Sequence, residues 1–167
     1  MPLIDSELAA LAAELGRRLT ARGLIVTTAE SCTGGLVAGA ITAIAGSSGW
    51  FERGFVTYSD GAKRELLGVR PDTLVQHGAV SEAVAMAMAE GAIRASRADR
   101  AVAVTGIAGP DGGTADKPVG TVCFGFAVRN GPTRVVIKHF PGDRTAVRRA
   151  SVIHALQGLI ETIGPLQ

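Results

Sequence analysis

Three observations predict an α/β fold. Apolar strand-like runs alternate with helical stripes in a β-α-β rhythm, capping residues stand before the helical stripes, and Asn130-Gly131 separates two further strand-like segments. Together they predict a three-layer α/β/α sandwich, in which a mixed β-sheet ends in a C-terminal antiparallel hairpin and carries helices on both faces. At 167 residues and 47% hydrophobic content, residues 1–167 suit a single domain with a sizeable core.

The elements follow in order. Leu8, Leu11, Leu15 and Leu19 recur at helical spacing between Asp5, a candidate N-cap, and Gly23, a candidate C-cap, which predicts an amphipathic first helix over the sheet. Leu24 to Thr28 reads as a buried strand, Thr33 to Ile44 as a small-residue helix, and Gly54 to Tyr58 as a second strand. Ser59 or Asp60 caps a short helix through Leu67, Pro71 to Gln76 forms a helical turn, and Ser81 caps an alanine-rich helix reaching about Ala95. Val102 to Val104 is a strand leading into a glycine-rich loop, Gly106 to Thr114. Val119 to Val128 and Thr133 to Phe140 form the hairpin. A last helix begins near Asp143, with an apolar stripe running from Val147 to Ile163. Arg144, Arg148 and Arg149 lie at its start, where they oppose the helix dipole and invite a functional explanation.

Composition narrows the function classes. Aromatic residues make up only 4% of the chain, and 17 basic against 15 acidic side chains leave a formal charge of +2, which argues against a basic, aromatic-interleaved nucleic-acid surface. Cys32 and Cys123 are too few for a disulfide framework and form no C-x-x-C motif, so a reducing cytoplasm is the expected compartment. The N-terminal residues do not read as a secretory signal, and no run reaches the roughly 18 apolar residues of a membrane span. Glycine and alanine on several helices would permit close subunit packing, which is compatible with a homo-oligomer.

The chemistry centres on Ser31, in Thr28-Ala-Glu-Ser-Cys-Thr-Gly-Gly35, where a strand hands over to a helix and free backbone N–H groups favour negative charge. An unassisted serine is a poor nucleophile, so Ser31 needs a base and oxyanion donors; the N–H groups of Cys32 and Thr33 are candidates for the latter. A serine at such a position also serves as a plain helix cap. Tyr58 and Lys63 flank the next strand-to-helix transition. A desolvated, neutral Lys63 would be the general base, with Tyr58 relaying or orienting the proton, whereas a solvated Lys63 and a half-buried Tyr58 would have no such role. Glu30 either pairs with Lys63, which would raise the lysine pKa, or fixes the corner. In the glycine-rich loop, Thr105 and Gly106 allow hydrogen bonding and close backbone approach to a ligand. Arg144 is placed to meet a phosphate, while Arg148 and Arg149 read as a solvated face. Lys117 either attracts a phosphate or lies on a solvated edge. His77, His139 and His154 are scattered without metal-ligand spacing, and Cys123 reads as core. The spacing of Tyr58 and Lys63 differs from the Tyr-x-x-x-Lys of short-chain dehydrogenases, and no Gly-x-Gly-x-x-Gly follows the first strand.

Six ordered motifs carry a family resemblance: Ala29-Glu-Ser-Cys-Thr-Gly-Gly35, Gly46-Ser-Ser48, Tyr58-Ser-Asp-Gly-Ala-Lys63, Gly78-Ala-Val-Ser81, Thr105-Gly-Ile-Ala-Gly-Pro110 and Lys117-Pro-Val-Gly-Thr121. Over nearly its whole length the chain resembles the CinA C-terminal domain family, the stand-alone nicotinamide-nucleotide amidases of pyridine nucleotide salvage. The resemblance implies an α/β/α domain that hydrolyses the carboxamide of nicotinamide mononucleotide to nicotinate mononucleotide and ammonia. It implies Ser31 as nucleophile, Tyr58 and Lys63 as its partners, and no metal or redox cofactor. Glu30, Cys32, Thr33, Gly34, Thr105, Gly106 and Arg144 are the candidate substrate contacts. Asp60 stands where the family often has Asn, and its charge would raise the pKa of Lys63. Ala45 and His77 also depart from the family's usual Pro and Tyr. A catalytically silent pyridine-nucleotide binding module and a structural assembly partner are the alternatives from other classes.

Overall fold

The computed structural model describes residues 4–165. Helix α1 (Ser6–Arg22) precedes strand β1 (Val26–Glu30), helix α2 (Leu36–Thr42), a 3-10 turn at Ser47–Gly49 and strand β2 (Phe51–Val56). Three helices follow: α3 (Asp60–Leu67), α4 (Pro71–His77) and α5 (Glu82–Arg94). Strands β3 (Arg100–Gly106), β4 (Thr121–Val128) and β5 (Thr133–His139) then lead into α6 (Arg144–Ile163). The sheet order is β2-β1-β3-β4-β5. β1 runs parallel to both β2 and β3, whereas β4 is antiparallel to β3 and β5, so one sheet has a parallel half and an antiparallel half.

Side-chain alternation along the strands separates two cores. Val102 and Val104 of β3 and Val122, Phe124 and Phe126 of β4 pack with α1, α2 and α6. Ala101 and Ala103 of β3, with Ala29 and Ala127, pack on the opposite face with α3, α4 and α5. Helices therefore cover both faces, as expected. The second face is built from alanine and glycine because α5 lies close on it: a Cβ added to Gly125 would stand 2.4 Å from the Ala85 carbonyl oxygen.

Most helix starts fall where their caps predict. The side chains of Asp5, Ser59, Ser81 and Asp143 accept from the N–H groups of Leu8, Ala62, Val84 and Ala146. Asp60 is thus a first-turn residue of α3, and Ser59 is its cap. Several boundaries differ from expectation: β2 starts at Phe51, α2 ends at Thr42, β3 extends over Arg100–Gly106 and β4 starts at Thr121. Three further differences have an evident cause. Leu24 lies between α1 and β1, because its N–H bonds Leu19 O and closes the helix behind the left-handed Gly23, and β1 starts two residues later. α2 begins at Leu36, not Thr33, because Gly34 (φ 56°) and Gly35 (φ 104°) hold left-handed conformations that no helix continues. β2 ends at Val56, and Thr57 and Tyr58 leave the sheet.

Two substitutions of the same kind should act in opposite directions. Gly125→Ala is expected to lose about 1–3 kcal/mol through overpacking of β4 against backbone. Gly39→Ala, on the exposed face of α2 with open space at the Cβ position, is expected to gain up to about 1 kcal/mol. Urea denaturation of both variants checks this pair, and equal midpoints would contradict the close α5–β4 packing.

Candidate active site

The three parallel strands deliver their carboxyl ends to one edge of the sheet, the usual place for a ligand crevice in such sheets. Ser31 follows β1, with its N–H on Val104 O at 2.9 Å. Tyr58 follows β2, and Thr105 and Gly106 close β3. Lys63 comes from the first turns of α3, and Arg144 from the start of α6. Between them lies a cavity of about 240 Å³ lined by Ser31, Cys32, Tyr58, Asp60, Lys63, Ala79, Val80, Thr105, Gly106, Ala108 and Arg144. Larger recesses exist, one of 720 Å³ beside Trp50 and one of 600 Å³ beside Lys117, but the smaller one gathers Ser31 and Lys63.

Lys63 is 1% exposed. Its Nζ lies 3.0 Å from Ser31 Oγ, 2.8 Å from Thr57 O and 3.3 Å from Tyr58 O. Among the described residues no carboxylate forms an ion pair with it. Burial pushes its pKa below the ordinary lysine value, and the Asp60 charge pushes back the other way. All three partners are oxygens, so an ammonium would donate to each of them, while a neutral amine would donate to the two carbonyls and accept from the serine hydroxyl. The lysine is therefore not solvated, and Thr57 and Tyr58 leave the sheet with their carbonyls on its amine.

Glu30 does not pair with Lys63. It is fully buried, and Oε1 accepts from Thr33 Oγ1 (2.6 Å) and from the N–H groups of Gly35 (3.2 Å) and Val37 (2.9 Å). Oε2 accepts from Ala38 N–H at 3.1 Å. Glu30 thus caps α2 from the preceding strand and uses the helix-entry N–H groups that the sequence offers to a ligand. Thr33 and Gly34, with Glu30, build the turn and do not line the cavity. Ser31 does not cap α2 itself. Gly34 N–H bonds Ser31 O at 3.0 Å, while the N–H groups of Cys32 and Thr33 donate to no other described residue.

The remaining candidates divide. Cys32, Thr105, Gly106 and Arg144 line the cavity. Burial pushes the Cys32 thiol up to about 12, so it stays protonated and is a poor nucleophile at neutral pH. Thr105 Oγ1 donates to Ala79 O at 2.8 Å and holds the opposite wall. Gly106 is small for the sheet's sake, because a Cβ there would stand 2.9 Å from Thr121 O. Tyr58 is 62% exposed, and its hydroxyl lies 3.2 Å from Arg144 Nη2, not on Ser31 or Lys63. Arg144 Nη1 donates to Gly109 O at 2.9 Å. Lys117 reaches His77 O at 2.8 Å and does not line this cavity.

Sequence reasoning missed Arg148. It was expected on a solvated face, yet its Nε donates to Cys32 O at 3.1 Å and its Nη2 to Thr33 O at 3.4 Å. The available signal was its spacing of four from Arg144, which puts both on one face of α6. Arg149 is also engaged, pairing with Asp5 and Glu7 of the chain around α1 at 2.8 and 2.7 Å. His154 packs against the Phe124, Phe126 and Phe140 rings, as a structural residue does. Among the described residues no three His, Cys, Asp or Glu side chains converge as metal ligands, and no helix is long and apolar enough to cross a membrane.

Comparison with known proteins bears on this site. The CinA C-terminal domain family matches residues 8–163. Nicotinamide-nucleotide amidohydrolase PncC of Escherichia coli strain K12 is 60% identical over 157 residues, which cover 94% of this chain and 95% of that protein. The protein of the same name from Enterobacter agglomerans is 58% identical over 153 residues, covering 92% and 93%. Among solved structures, the competence/damage inducible protein CihA from Agrobacterium tumefaciens superimposes with a TM-score of 0.93 at 51% identity, covering 96% of this chain and 98% of that one.

The capping assigned to Glu30 has a measurable consequence. Glu30→Ala strands three backbone N–H groups and a hydroxyl, and is expected to cost about 3 kcal/mol or more. Glu30→Gln keeps one acceptor oxygen and should cost less. Chemical denaturation of the two variants checks the order, and a Glu30→Ala protein as stable as wild type would contradict the cap.

Proposed function

Because the chain belongs to the CinA C-terminal domain family, we propose that it hydrolyses the carboxamide of nicotinamide mononucleotide to nicotinate mononucleotide and ammonia, in pyridine nucleotide salvage. The activity printed for the 60% identical Escherichia coli relative supports the substrate. The observation that carries the chemistry is the buried Lys63 amine, 3.0 Å from Ser31 Oγ with no carboxylate to hold it charged.

Ser31 Oγ attacks the carboxamide carbon as its proton passes to Lys63 Nζ. The oxyanion that forms is met by the N–H group of Cys32, which lines the cavity and donates to no other described residue. The protonated Lys63 then returns its proton to the departing nitrogen, ammonia leaves, and Ser31 holds the nicotinate nucleotide as an ester. Water, deprotonated by the same amine, attacks that ester, and collapse of the second tetrahedral adduct frees the acid and Ser31. The carbonyls of Thr57 and Tyr58 keep the amine aimed throughout. Tyr58 therefore serves Lys63 through its backbone, while its hydroxyl and Arg144 form the rim. A cavity of about 240 Å³ falls below the roughly 300–1,000 Å³ of sites that enclose drug-sized ligands, which suits it to the pyridine carboxamide and leaves the ribosyl phosphate at the mouth beside Arg144.

Ammonia release from nicotinamide mononucleotide tests the reading. Wild type is expected to turn over, and folded Ser31→Ala to lose about 10³-fold or more in kcat. Ordinary activity in that variant would remove Ser31 from the mechanism. The pH dependence has a fixed sign: the working base is the neutral amine, so kcat rises with pH as Lys63 loses its proton. Burial places that inflection below the ordinary lysine range. Lys63→Met should be severely impaired and lack the limb; an unchanged profile would exclude Lys63 as the base.

A further inference from the structure

We propose that Arg148 is a positioning residue that, through the turn after Ser31, aims the Cys32 amide as the oxyanion donor of the cavity, an inference that rests on the amide-hydrolase reading above. Its guanidinium holds two successive peptide carbonyls, Cys32 O through Nε and Thr33 O through Nη2. A trans peptide unit is planar, so fixing a carbonyl fixes the N–H on its far side. Holding Cys32 O therefore sets the direction of Thr33 N–H. Thr33 O, held by Arg148 and also by Leu36 N–H at 3.0 Å, sets Gly34 N–H, which bonds Ser31 O at 3.0 Å, and that bond in turn sets Cys32 N–H. Arg148 is thus the side chain that fixes the peptide planes on both sides of Thr33, and through them the Cys32 N–H beside the cavity.

The charge acts in the same direction as the geometry. Among the described residues Arg148 makes no ion pair, whereas its neighbour Arg149 pairs with Asp5 and Glu7. Its positive charge is spent on the two carbonyls, which polarises their peptide groups and makes the N–H ends stronger donors. Gly34 serves this arrangement through its backbone, since its left-handed φ of 56° turns the chain so that Gly34 N–H reaches Ser31 O. Arg144, one turn earlier on α6, reaches Gly109 O and the Tyr58 hydroxyl, so it does not share this task.

The test compares wild type, Arg148→Ala and Arg148→Lys, each checked for folding, in two assays. One follows ammonia release from nicotinamide mononucleotide; the other follows acylation of Ser31 by p-nitrophenyl acetate, read as a mass increase of the intact protein. For Arg148→Ala the expected result is a fall of about 100-fold in kcat with KM within about twofold, as for loss of an oxyanion donor, and a comparable slowing of acylation. Millimolar guanidinium ion should restore part of the rate, and Arg148→Lys should retain part of it. A residue that only stiffened the fold would lower the melting temperature and leave kcat of the folded protein unchanged. Wild-type kcat and acylation in folded Arg148→Ala, or a loss confined to KM, would overturn the proposal. If the alanine variant does not fold, full kcat in Arg148→Lys overturns it instead. Wild type that releases no ammonia but acylates in an Arg148-dependent way would sink the amide substrate and leave the positioning role standing.

Discussion

The site depends on keeping the amine of Lys63 out of water without giving it a counter-charge. An amine at 1% exposure is costly as a cation, and a buried carboxylate beside it would resolve that cost by fixing the charge. The fold surrounds it instead with two carbonyls and a hydroxyl, groups that solvate an amine without making it permanently cationic. This constraint explains why β2 stops at Val56, freeing the carbonyls of Thr57 and Tyr58 from the ladder. It also explains why the nearby buried carboxylate, Glu30, is turned away and consumed by four donors of its own. The closest approach to a counter-charge is Asp60, which is exposed and acts through space.

Glu30 and Arg148 are complementary in this respect. The five-residue connection from Ser31 to Gly35 has donors and acceptors that neither strand nor helix satisfies. A carboxylate takes its hydroxyl and the helix-entry N–H groups, and a guanidinium takes two of its carbonyls. Both are charged groups that never meet each other, and each is neutralised by oriented peptide dipoles. What remains without a partner in another described residue is the pair of N–H groups that follow Ser31, those of Cys32 and Thr33. Oriented, unclaimed donors are what a developing oxyanion requires, and they cost no reorganisation when it forms.

Local physics was legible in the sequence, and long-range physics was not. Asp5, Ser59, Ser81 and Asp143 cap helices through contacts only three residues long, and Asn130, at φ 60°, marks the hairpin turn. The gathering of Ser31 with Lys63 was also expected, because both stand at strand-to-helix transitions of parallel strands. The Gly34-Gly35 pair was read as the first turn of a helix when its left-handed conformation in fact delays that helix. Arg148 bonds carbonyls 116 and 115 residues away, and the Tyr58 hydroxyl bonds a side chain 86 residues away; no pattern of local spacing contains such contacts. Glu30 could be read either as a partner of Lys63 or as a corner, and only the direction of its side chain decided between them.

The division of the sheet assigns the two halves different work. The parallel strands β2, β1 and β3 end together and present Tyr58, Ser31 and Thr105 on one edge, which antiparallel strands would have scattered to opposite edges. Strands β4 and β5 contribute no residue to the lining of the cavity. β4 instead offers Val122, Phe124 and Phe126 to the same core that buries Val147, Val152, Leu156 and Leu159 of α6. That packing anchors a 20-residue helix whose first turns carry Arg144 and Arg148. Those arginines lie where the helix dipole disfavours positive charge, and the compensation is that each is bonded to carbonyl oxygens of the loops around the cavity. The hairpin thus bears on the cavity indirectly, by fixing a helix that in turn fixes the loops. A change in the β4–α6 core is accordingly a change in how firmly the turn beside Ser31 is held.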